Sequence, residues 1–175
     1  MQRYNSTTFR YAGVALAPVA TPTDVIVIQG SATKTVWVKS IKITGAATAA
    51  GTMPILAVRR ADAGTVGSAV LTAVTGAECD TVDIAATAVV STVGTANYTT
   101  VGTTAGNVAS GRLQMTALAT GVAAFPVIWD FAGVRKDRGI ALRGTLQHLC
   151  VNLAGAALPS GGVIDYEIEI EEVAA

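Results

Sequence analysis

The segment that most constrains this chain is its last apolar run, Val163 to Glu172, which reads VIDYEIEIEE. Asp165, Glu167, Glu169 and Glu171 take every second position, and Tyr166, Ile168 and Ile170 fall between them. A helix would scatter these two sets around its circumference, whereas a strand sends them to opposite faces. A strand that is wet on one face and apolar on the other belongs to an antiparallel sheet packed on a core.

The rest of the chain is consistent with that reading. Helical periodicity is nearly absent, and short β-branched runs bounded by Gly, Pro, Thr and Asp recur. Asp24 to Gln29 (DVIVIQ) is apolar on both faces, so it is expected to be covered twice, by its own core and by something else. In Lys34 to Gly45 (KTVWVKSIKITG), Val36 and Val38 occupy even positions but Ile41 and Ile43 odd ones. Such a change of parity predicts a β-bulge, which lets a long strand bend from one sheet toward another. Met53 to Arg60 (MPILAVRR) is the next strand, with Pro54 near its start. From Ala61 to Thr87 alternation dissolves, and most of the segment reads as a long surface connection with room for a short helix. Ala88 to Val93 is a short strand, Asn97 to Gly111 is loop-like, and Arg112 to Leu118 alternates loosely.

The last third is clearer. FPVIWDF puts Phe125, Val127, Trp129 and Phe131 on one face. GIALRG and LQHLCVNL follow as two strands, the second with Leu149, Val151 and Leu153 inward and His148, Cys150 and Asn152 outward. The expected fold is therefore one all-β domain of about eight to nine strands, a β-sandwich of jelly-roll type, with no βαβ alternation or internal repeat.

Composition limits what such a domain does. Folding a chain of this size buries roughly 70% of its unfolded surface, enough for a core without metal or disulfide staples. Charged residues are only 14% of the chain and hydrophobic ones 51%, with a mean hydropathy of +0.50. A lone monomer with so little charge and a formal net charge of zero risks association. Part of its surface is therefore expected to be covered by copies of itself or by partners. The 12 Lys and Arg are scattered and balanced by 12 Asp and Glu, which leaves no basic face for nucleic acid. The densest basic spots, Arg59 with Arg60 and Arg135, Lys136 with Arg138, read as solvated loops or strand ends. The uncharged stretches Ile43 to Val58 and Ile84 to Gly111 are too rich in Gly and Thr for a spanning helix, so no membrane partner is expected. Arg3 and Arg10 before Val14 to Ala20 mimic a secretory signal, but that apolar segment is short and contains Pro18. Cys79 and Cys150 lie far apart with no paired spacing, as in a reduced cytosolic protein.

No reactive constellation emerges. The chain has no GxxxxGK[ST], no GxGxxG and no GxSxG, and His148 is its only histidine. The acids of the last strand are spaced about 6.5 to 7 Å along one face, too wide for one cation to take several in succession. A glycosidase pair would need a cleft, and the few aromatics fall on core faces, Trp37 and Trp129 among them. These acids read as a solvated face that pairs with Arg or Lys across the sheet or from a neighbouring copy. No catalytic residue, metal or cofactor is expected, and the chain does not read as an enzyme.

Residues 1–20 read as an N-terminal arm ahead of a sandwich over residues 21–175. Tyr4, Phe9 and Tyr11 space aromatics along that arm in a chain otherwise poor in them. An arm of this kind docks either on its own sandwich or on a neighbour. With Val25 and Val27 of the two-sided first strand, these three residues form the candidate interface.

The run DVIVIQGSATKTVWVKSIKITGAATAAGTMPILAVRR and the ending FPVIWDF…GIALRGTLQHLCVNLAGAALPSGGVIDYEIEIEE resemble small jelly-roll virion structural proteins of tailed bacteriophages. In that group an aromatic "W-D-F" strand precedes an "hLRG…hhNh" strand pair, a Gly turn and a final acidic amphipathic strand. The likeness covers most of residues 24–172 and is weakest in the middle loops. It implies a capsid decoration or cement protein, a homotrimer seated on the major capsid protein of a virion assembled in the host cytoplasm. Some relatives belong instead to the tail or neck. The extension Val173-Ala174-Ala175 and the Ala-rich middle loop depart from the pattern and bear on virion location. The alternative is a lectin-like, receptor-binding sandwich using loops around residues 61–87 and 95–111.

Overall fold

The computed structural model describes residues 6–19, 23–68, 70–79, 85–94, 96–117, 119, 124–134 and 138–174. The described residues are all-β apart from one helical turn. Its strands are β1 (Ser6–Leu16), β2 (Asp24–Gln29), β3 (Lys34–Ala47), β4 (Gly51–Arg60), β5 (Leu71–Val74), β6 (Ala77–Glu78), β7 (Val89–Val93) and β8 (Thr104–Ala117). They continue with β9 (Val127–Asp130), the turn α1 (Phe131–Val134), β10 (Ile140–Arg143), β11 (His148–Asn152) and β12 (Val163–Ala174).

The strands form one curled, mixed sheet. One half runs β6-β1-β12-β3, with β9 and β10 sharing the far edge of β3. The other half runs β5-β7-β2-β11-β4-β8. β8 joins the halves: its body is antiparallel to β4, and Thr116 and Ala117 run parallel to Ala46 and Ala47 of β3. β1, β2, β3 and β4 alternate between the halves, as do β10, β11 and β12. The inner faces meet in a single apolar core in which Ile26, Ile28, Ile41, Ile43, Ile55, Leu113, Leu149 and Ile168 are fully buried. Each such side chain contributes about 1.5 to 3 kcal/mol of hydrophobic stabilisation.

β3 contains the expected bulge. Glu169 of β12 faces Ser40 and Ile170 faces Val38, so Lys39 is the extra residue of the register shift. That extra residue reverses the facing and keeps Val36, Val38, Ile41 and Ile43 all fully buried despite their change of parity. β12 likewise alternates as its sequence demands, between β1 on one side and β3 on the other.

Several expectations are corrected. There are twelve strands among the described residues, not eight or nine. Residues 6–16 dock on the chain's own sheet, not as a separate arm but as the strand β1, in register with β12 from Ser6 opposite Val173 to Leu16 opposite Ile164. β8 begins eight residues before the expected strand at Arg112, because Thr104 to Ser110 are small residues without a clean alternation. Phe125 is 69% exposed, although Trp129 and Phe131 beyond it are buried. Trp37 is only half-buried, on the outward parity of β3 between Ala141 and Glu171.

The second cover of β2 comes from the chain itself. Past the register pair Arg60 and Thr104, the β4–β8 ladder continues outside the sheet. The Ala61 amide donates to the Thr103 carbonyl at 2.9 Å, and Thr65 and Thr100 exchange backbone bonds of 2.8 and 3.2 Å. The arms 61–68 and 96–103 thus form a paired flap. Its Val66, Tyr98 and Val101 pack on Val27, Val93 and Cys150 of the outer sheet face, a small apolar cluster separate from the main core. Gly64 sits at φ +64 against the Thr100 carbonyl, where a Cβ would clash with backbone.

Candidate interaction surface

Most of the acidic face of β12 is paired within the chain. Arg10 of β1 reaches Glu169 at 2.9 Å and Glu167 at 3.9 Å, while Lys42 and Lys39 of β3 meet Glu167 at 3.3 Å and Glu171 at 2.5 Å. Asp165 accepts the Ala15 amide at 2.8 Å. Cations from both flanking strands therefore meet the comb of acids. Exposed pairs of this sort add little net stability, and what they do here is fix register and remove a free anionic surface.

Glu172 is different, being only 1% exposed. It forms an ion pair with Lys34 at 2.8 Å and accepts the amides of Ala88 at 2.5 Å and Thr87 at 2.7 Å. The Thr87 hydroxyl lies 3.0 Å from it and 2.7 Å from that of Ser31. Burial by itself pushes the carboxyl up, but Lys34 and these donors outweigh it and hold it below the ordinary carboxylate range. Glu172 thereby ties the entry to β7 to the end of β12. The sequence did contain the signal, since strict alternation puts Glu172 on the same parity as Tyr166, Ile168 and Ile170. The Tyr11 hydroxyl, buried and without a hydrogen-bond partner among the described residues, is pushed up to about 12 by burial and then by the Glu172 charge.

A second polar node lies beneath the flap. Arg60, expected to be solvated, is 5% exposed and grips Asp24 with bonds of 2.7 and 3.0 Å. It also donates to the Thr104 hydroxyl, and Asn152 donates to Asp24 at 2.7 Å. Burial works against the Arg60 charge, yet Asp24 overcomes it and raises the guanidinium further. Cys150 lies alongside, its thiol pushed well up by burial. Arg59 points the other way, to the Ala141 carbonyl at 3.2 Å and Gln147 at 2.9 Å. His148 does face away from the main core as expected, but the flap leaves it only 4% exposed. Burial lowers its pKa despite the opposing pull of the Leu146 carbonyl and of Asp62 and Asp24.

The candidate interface residues do not form one surface. Phe9 and Tyr11 are buried in the main core from β1, because their parity on that strand matches Ile170 and Ile168 of β12. Val25 is in the same core at a register shift between β2 and β11, and Val27 lies under the flap. Tyr4 lies outside the described residues. The four described residues are thus corrected from interface to interior.

An apolar groove that the sequence did not reveal opens between β8 and the β9–β10 edge. Val108, Ala109, Ile128, Trp129, Phe131 and Ile140 line a cavity of about 500 Å³, joined by Asp130. Further along β8 the two elements approach closely, since an added Cβ at Gly111 would lie 3.2 Å from Val127 of β9. Val108 is the extra residue of a β4–β8 bulge, since Ala57 faces Ala109 and Val58 faces Asn107. Bulges at a sheet edge commonly re-aim a side chain in this way. Ile128 is 59% exposed on the groove wall. Neither β9 nor β10 has a strand partner other than β3 among the described residues. No group of three or more metal-ligating side chains is found among the described residues, and no helix there is long and apolar enough to cross a membrane. Comparison with protein-family models, curated proteins and solved structures finds no match.

Proposed function

We propose that this chain is a virion structural protein, a capsid decoration or cement protein that binds the outer shell as a homotrimer. The observation that carries the reading is a contrast on its surface: the acids of β12 are spent on pairs within the chain, while Val108 and Ile128 stand open around an apolar groove. Exposed apolar patches of this kind mark contact sites. Its action would be mechanical, because contacts that bridge shell subunits raise the free energy needed to separate them.

The jelly-roll wiring belongs to the same proposal. It is supported by the strand orders β1-β12-β3-β9/β10 and β2-β11-β4-β8, with successive strands crossing between halves. The resemblance of residues 24–172 to phage virion proteins agrees with both. The receptor-binding alternative draws no comparable support, since Tyr98, the one aromatic of its two loops, is buried between the flap that carries it and the sheet. Imaging of particles that carry the chain tests the reading. Three-fold density on the shell is expected; density confined to a tail tip, or none, overturns it.

A further inference from the structure

The flap contains a feature that the assembly reading does not use. It closes on a small cluster of its own, Val27, Val93, Tyr98 and Cys150 with Val66 and Val101, and shares none of the main core. Its first residue follows Arg60, which stands in register with His148, the only histidine of the chain. That ring is 4% exposed, and its Nδ1 has no hydrogen-bond partner among the described residues. The ring is therefore seated in a place that suits the neutral form.

We infer that residues 61–68 and 96–103 form an acid-released flap, latched by neutral His148 and opened when that imidazole takes a proton. Among the described residues, the charged and titratable groups around it come from four elements. β4 supplies Arg60 in direct register and β2 supplies Asp24. The flap supplies Asp62, and also Tyr98, which packs with Cys150 of β11 on the same covered face. Neither acid is free to receive a new cation. Asp24 is held by Arg60 and Asn152, and Asp62 accepts the amides of Gly64 at 2.9 Å and Thr103 at 3.1 Å, which close the flap's own base. A proton on His148 places a second buried cation beside Arg60, and drawing Asp62 toward it breaks the bonds that hold the flap in shape. Lifting the flap solvates the imidazolium and leaves the main core untouched.

The sign follows from burial. His148 is depressed from its ordinary value in the closed form, so closure is fully favoured above about pH 6.5 and weakens as pH falls below it, by up to about tenfold per pH unit. Opening bares Val27, Val93 and Cys150, an apolar strip that is covered at neutral pH.

The two cysteines provide the test, since Cys150 lies under the flap and Cys79 is exposed. Labelling of the native chain with dithiodipyridine is followed at both thiols, with Cys79 as the internal reference. The Cys150 to Cys79 rate ratio is expected to rise about tenfold from about pH 7.5 to about pH 5.5, and to stay flat in His148→Gln. A flat ratio in the native chain, or an equal rise in His148→Gln, overturns the latch. Should His148→Gln fail to fold, amide exchange in the native chain replaces it. Thr65 and Thr100 are expected to open with the midpoint of the His148 titration while Ile41 stays protected. Loss of protection at Ile41 in step with the flap means global unfolding and also overturns the inference.

Discussion

The two faces of the β2–β11–β4 layer are buried by different means. The inner face presents Ile26, Ile28, Leu149, Val151, Ile55 and Ala57 to the main apolar core. The outer face is closed by a flap that has only a handful of apolar side chains to offer, and it encloses Asp24, Arg60 and His148 as well. An all-apolar face needs only volume and parity to be satisfied. A face closed over charges needs each charge matched, so its closure depends on pairing, protonation and the few hydrogen bonds at the flap's base.

The largest effect is expected where that dependence is strongest. Arg60→Ala strands a buried Asp24 and should destabilise the chain by about 3 to 5 kcal/mol in urea unfolding, with the flap losing exchange protection first. If Arg60→Ala is mild, the outer face is less closed than the distances imply. Leu149→Ala on the same layer but the opposite face should cost about 2 to 4 kcal/mol, through a cavity and with no change in pH dependence. A pH-dependent loss there would blur the distinction between the faces.

Glu172→Gln probes the other buried charge and is expected to cost about 1 to 3 kcal/mol at neutral pH, read from the urea midpoint. Because Glu172 is held below its ordinary range, its contribution is present above the unfolded carboxylate value and is lost as pH falls through the folded one. The acid limb of the stability curve should accordingly flatten in Glu172→Gln. Glu169→Gln, on the solvated side of the same strand, should leave the urea midpoint unchanged. A large shift would mean that the comb of acids does more than set register.

Much of the fold was legible because parity is a hard constraint. The alternation of β12 and the parity break in β3 both survive in the structure, the latter as a bulge at Lys39. β1 was misread as an arm because its inward residues, Phe9 and Tyr11, are interspersed with Thr, Arg, Ala and Gly and have no Val or Ile beside them. Arg60 and His148 could not be read as buried. Both have outward parity, and only a flap made from a segment without alternation covers them. Glu172 was readable, since the rule that buried Ile168 and Ile170 buries it too. The groove at Val108 and Ile128 depends on a bulge and on two strand edges far apart in sequence, and no local pattern encodes that.

The measurement that bears most directly on the assembly reading is sedimentation velocity of the native chain beside Ile128→Lys, which places a charge on the exposed wall of the groove. The native chain is expected to sediment as a trimer and Ile128→Lys as a monomer, with matching circular dichroism and urea midpoints. A native chain that stays monomeric at all concentrations, or a trimer indifferent to Ile128→Lys, would contradict the role assigned to that surface.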